Sequence, residues 1–135
     1  MSTANNYRQS IRSLEGIKSR QFDSEKAFYE FLEQIYNEFK QKYNELGQEQ
    51  DSLGIFICSI GLFAFGRLDV VEDILDHVPH KKYPANHLIG VIPNLLPLPK
   101  NLSWRDNPES LQAWIRENFT HLKWDEISEI YVLQE

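Results

Sequence analysis

Leu53-Gly-Ile-Phe-Ile-Cys-Ser-Ile-Gly-Leu-Phe-Ala-Phe65 is almost wholly apolar, and its reading decides the fold. As a helix this run rises about 20 Å, short of the roughly 30 Å hydrocarbon slab of a bilayer. A buried core helix is therefore expected rather than a membrane span. Its β-branched and aromatic residues would also suit a buried strand. Two features favour the helix. Asp51 or Ser52 can cap its start. Gly54, Cys58 and Gly61 recur at helical spacing and lay small residues on one face, where a second helix can approach closely.

Working outward, Gly66-Arg67-Leu68 reads as a tight turn after the apolar run. Asp69 with Glu72 has capping-box spacing, and Leu68, Val71, Ile74, Leu75 and Val78 carry the next apolar stripe. Residues 52 to 78 thus read as an αα-hairpin. The small-residue helix, glycine turn and amphipathic second helix resemble one tetratricopeptide-type hairpin, with no second copy at the expected period.

Upstream lies the clearest amphipathic helix. Asp23 or Ser24 can cap it, and Phe28, Phe31, Leu32, Ile35, Phe39, Tyr43 and Leu46 line one face. Gly47 stands where a left-handed cap is expected, and the polar run to Ser52 reads as a connection. Tyr7, Ile11, Leu14 and Ile17 make a weaker helical stripe, and residues 1–5 read as a frayed tail.

Downstream, His87 to Leu96 is apolar and suits a short helix ending before Pro93. Pro93-Asn-Leu-Leu-Pro-Leu-Pro99 reads as extended or turn structure that packs Leu95, Leu96 and Leu98. Asn107-Pro108-Glu109 opens a helix with a cap and a proline at the first helical position, and Leu111, Trp114, Ile115 and Phe119 form its buried face. From Leu122 the period shortens toward alternation across Asp125-Glu126. A small C-terminal β-hairpin over residues 121–133 is the reading, with continuation of the helix as the alternative.

Composition sets outer bounds. The 135 residues, 41% hydrophobic and 25% charged, fit one globular domain with one core. The net charge of −6 and a pI near 5.2 disfavour a nucleic-acid-binding surface. The lone Cys58 can form no internal disulfide and reads as a buried small hydrophobe. Residues 1–20 contain no apolar signal core, so the cytoplasm is the expected location.

Few residues form a constellation that carries chemistry. Arg116-Glu-Asn-Phe-Thr-His121 resembles the R-x4-6-H signature of HEPN ribonucleases, which are small all-helical domains. The resemblance implies metal-free RNA cleavage, with His121 moving a proton and Arg116 stabilising the phosphorane, often across a dimer. Glu117 departs from the Asn, Asp or His that family usually places beside the arginine. Five residues of helix also rotate the pair about 140° apart, so a shared site needs the helix to end between them.

His77, His80, Lys81, Lys82 and His87 form a basic cluster suited to an anion. His77 and His80 have helical metal-ligand spacing, but Pro79 intervenes and no further ligand stands nearby. The tract from Pro93 to Pro99 is spaced like a polyproline ligand, though its leucines suit a core. Trp104, Trp114 and Trp124 could stack on a planar ligand, but core or boundary packing is the commoner use.

The fold class expected is mainly α: one domain over residues 1–135, a helical bundle built round the αα-hairpin. The expected function is a small cytoplasmic regulatory or adaptor module, non-enzymatic, acting through another protein and needing no cofactor or metal. A homodimer is allowed; membrane and nucleic-acid partners are not expected. The alternatives are a HEPN-like ribonuclease using Arg116 and His121, and a helical domain enclosing a small apolar ligand beside Phe56, Phe63 and Trp114.

Overall fold

The computed structural model describes residues 2–79 and 84–134. Its α-helices are α1 (Thr3–Arg12), α2 (Glu25–Leu46), α3 (Glu49–Phe63), α4 (Val71–Asp76), α5 (Val91–Leu95) and α6 (Pro108–Asn118). Strands β1 (Leu122–Asp125) and β2 (Ile130–Leu133) follow. The decisive apolar run is a helix, and α3 is the axis of the domain. Ile55, Phe56, Cys58, Ile60, Leu62 and Phe63 are all buried, and α2, α1, α4 and the 3-10 turn Leu68–Val70 pack round α3. No helix among the described residues is long and apolar enough to cross a membrane.

The small face of α3 meets α2. A Cβ at Gly61 would lie 2.7 Å from Leu32 Cδ1, and one at Gly54 would lie 2.7 Å from the Phe39 ring. Without side chains there the two helices pack closely. Ser24 caps α2 through the Ala27 N–H, and Gly47 takes the left-handed conformation that ends it. The connection is only Gly47-Gln48, because α3 begins at Glu49. Asp51 and Ser52 are therefore not caps. Asp51 is buried in the first turn and Ser52 bonds His77.

The hairpin expected over 52–78 is present as α3, a turn and α4. The Gly66 N–H donates to Phe63 O at 3.0 Å and the Arg67 N–H to Leu62 O at 3.1 Å, with Gly66 at φ +101°. This is a Schellman closure, and its left-handed residue strongly favours glycine. Asp69 does not cap α4; it pairs with Arg67 at 3.0 Å instead.

Four further expectations are revised or resolved. Residues 2–5 are not a frayed tail: the Ser2 hydroxyl accepts from the Asn5 N–H, α1 starts at Thr3, and Ala4 is fully buried. A cap plus tertiary burial outweighs the fraying usual at a chain end. The helix also stops at Arg12, before Gly16, so Leu14 and Ile17 belong to a following turn. Pro93 lies inside α5 rather than after a helix; as its third residue it sits in the first turn, where N–H groups have no intrahelical partner. Residues 122–133 form an antiparallel hairpin with Leu122 opposite Leu133 and Trp124 opposite Tyr131.

Long-range polar contacts tie this hairpin to the bundle. The Tyr131 hydroxyl donates to Phe63 O at 2.7 Å, and its ring stacks on Phe63 with centroids 4.5 Å apart. Buried Arg8 donates to Ala64 O at 2.6 Å and pairs with Glu129 of the hairpin turn at 2.8 Å. Ser2 donates to the other Glu129 oxygen. Both ends of the chain thus converge on the C-terminus of α3.

Candidate functional site

Helix α2 carries more apolar residues than α3 covers. Phe28, Leu32 and Tyr36 are buried, whereas Phe31, Ile35 and Phe39, also four apart, remain only partly buried. This second stripe forms one wall of a groove of about 310 Å³. Leu14, Gly16 and Ile17 form the opposite wall, and Gly54, Ile57 and Cys58 of α3 the floor. The early end of α1 creates this wall, since a turn rather than a helix crosses α2 here.

The rim carries both signs of charge. Glu15 is paired with Lys18 at 2.6 Å, and the Arg20 guanidinium lies 4.7 Å from the centre of the Phe31 ring. Glu38 and Lys42 stand one helical turn apart on α2, and Lys42 has no ion pair among the described residues. Burial pushes the Cys58 thiol on the floor up to about 12, which disfavours the reactive thiolate. The groove offers apolar contact framed by charge.

The residues singled out from sequence fare variously. Arg116 and His121 are exposed, and α6 does end between them, at Asn118. Yet Arg116 is paired with Glu72 of α4 at 3.2 Å, and neither residue lines the groove. His80, Lys81 and Lys82 lie outside the described residues, so the basic cluster is represented only by His77 and His87. Among the described residues no group of three His, Cys, Asp or Glu could hold a metal ion. Phe56 and Phe63 are core residues at 0% exposure; Trp114 is half-buried, and none of the three lines the groove. Trp124 packs on Gly66 and Tyr131. Leu95 and Leu96 are buried as expected, and Leu98 is half-buried.

Two polar clusters were not legible in the sequence. The Ser52 hydroxyl lies 2.7 Å from His77 Nδ1, and the Tyr43 ring meets the imidazole edge-on. Burial lowers the His77 pKa against the opposing pull of Asp73 and Asp76. This pair closes the open end of the α3–α4 hairpin. Tyr36 donates to Asp73, which Lys40 approaches at 3.2 Å, while Arg67 bridges Glu33 and Asp69. Burial and the Asp73 contact raise the Tyr36 pKa, so its hydroxyl stays a donor. These partners are far apart in sequence, and only helix packing brings them together.

A second apolar surface lies on the C-terminal hairpin. Ile127 at its tip is 96% exposed, and Phe119, Ile130 and Leu133 are exposed nearby. Comparison with protein-family models, curated proteins and solved structures yields no match.

Proposed function

We propose that this protein is a small regulatory or adaptor module that binds a partner protein through the groove along α2 and is not an enzyme. The carrying observation is the stripe of Phe31, Ile35 and Phe39 left partly uncovered beside α3. Apolar residues one turn apart along a groove suit an amphipathic helix, whose own apolar face repeats at the same interval. Rim residues of both signs favour one orientation of that helix over its reverse. The ribonuclease reading gains no comparable support, since Arg116 is engaged by Glu72 rather than left for a phosphate.

Photo-crosslinking in the native host tests this. A benzophenone amino acid replaces Lys42 at the rim, Ile127 on the hairpin, or Ala113 on α6 as control. An adduct at 42 with one discrete protein, lost when Ile35→Asp is added in a still-folded chain, is the expected result. An adduct only at 127 moves the interface to the hairpin and overturns the groove assignment. No protein adduct at either position removes the adaptor reading. A panel of single-stranded RNAs incubated with the purified protein should remain intact; cleavage abolished by His121→Ala would install the ribonuclease instead.

A further inference from the structure

A second, larger cleft of about 640 Å³ lies between α5 and the start of α6. Ile89, Pro93, Leu98, Trp104 and Leu111 make its walls mostly apolar. Arg105 is the one charged residue among the described residues that line it. It is exposed and makes no hydrogen bond or ion pair with any described residue. Of the other five arginines, four are ion-paired, Arg8 to Glu129, Arg12 to Glu25, Arg67 to Asp69 and Arg116 to Glu72, and Arg20 lies against the Phe31 ring.

The first turn of α6 reaches the cleft through Pro108, and the Asn107 side chain does not cap it. Asn107 turns back instead, accepting from the Ser103 N–H and donating to Asn101 O, each at 2.7 Å. Pro108 has no N–H and the Asn107 N–H already donates to Ser103 O at 3.1 Å, so Arg105 alone supplies the contact to an anion. Asp106 and Glu109 are close in sequence but do not line the cleft.

We infer that this cleft binds a small amphipathic carboxylate, its apolar body against Trp104, Leu98 and Ile89 and its anionic head on Arg105. The volume falls in the range of about 300–1,000 Å³ usual for small-ligand sites. A guanidinium that accepts a carboxylate at an apolar cleft selects the acid over the matching alcohol, because charge-assisted hydrogen bonds are the stronger ones. The inference is independent of the α2 groove and its partner.

Titration of the ¹⁵N-labelled full chain with decanoate, below its micelle threshold, tests the site. The Trp104 indole and the Gly90 and Leu98 amides are expected to shift saturably, while Ile35 and Phe39 at the α2 groove stay still. Arg105→Gln, on the surface and without partners among the described residues, should weaken decanoate about tenfold or more. Decanol should bind the wild type as weakly as decanoate binds Arg105→Gln. No saturable shift, shifts centred elsewhere, equal binding by Arg105→Gln, or equal binding of acid and alcohol would each overturn the assignment.

Discussion

Tyr131 and Arg8 both serve the carbonyls at the end of α3, but they are not equivalent. Phe63 O also accepts from the Gly66 N–H, so Tyr131→Phe leaves that acceptor with one partner and keeps the ring stack. Its expected cost is that of one net hydrogen bond, about 0.5–1.5 kcal/mol. Arg8→Met should cost more, about 1–3 kcal/mol, because it withdraws donors from Ala64 O and from Glu129 together. Urea unfolding of both variants measures the order; a costlier Tyr131→Phe would mean that the hydroxyl, not the guanidinium, anchors the hairpin. Cys58 gives a separate residue-level check. With its thiol buried and pushed up to about 12, it should resist maleimide in the native protein and react once denatured. Rapid native labelling would show that α3 opens beneath the groove.

At the scale of elements, the α2–α3 contact depends on the absence of side chains. Gly61→Leu must fit several atoms where even a Cβ meets Leu32 at 2.7 Å. Overpacking typically costs about 1–3 kcal/mol, whereas the gain in helix propensity is under about 1 kcal/mol. The packing cost should win, and thermal melts should show a lower midpoint. Gly61→Ala should be milder, since the atom it meets is the end of a flexible side chain. A Gly61→Leu protein melting at or above the wild type would show that α2 yields without loss of packing.

The whole molecule should be acid-sensitive in two windows. Burial depresses the His77 pKa below its ordinary 6.5, so the unfolded chain takes up a proton before the native one does. Stability is therefore lost as pH falls from about 6.5 toward the folded value. Glu129 is depressed below its ordinary 4.5, first by the Ser2 hydrogen bond and then by Arg8. Its contribution is complete above 4.5 and disappears as pH falls through the lower folded value. Unfolding midpoints measured across pH should flatten in the upper window for His77→Gln and in the lower one for Glu129→Gln. Variants that keep the wild-type slope in their own window would show that neither residue is linked to folding.

Much of the helical architecture was determined locally. The stripe from Phe28 to Tyr43, the Ser24 and Gly47 caps, the Gly54–Gly61 face and the proline start of α6 were readable because they depend on neighbours within a turn or two, whereas Leu46, expected on that stripe, is 65% exposed. The mainly-α class and the αα-hairpin followed from them. Tertiary structure decided what depends on distant partners. Asp51 and Ser52 looked like caps until the short link through Gln48 drew them into α3. Residues 1–5 looked frayed because nothing in their own sequence announces Glu129. The groove along α2 exists because α1 stops at Arg12, and the cleft at Arg105 because α5 and the start of α6 leave it open between them. Periodicity records which face of an element is apolar, but not which part of that face a neighbour leaves uncovered. That depends on where the packed elements begin and end.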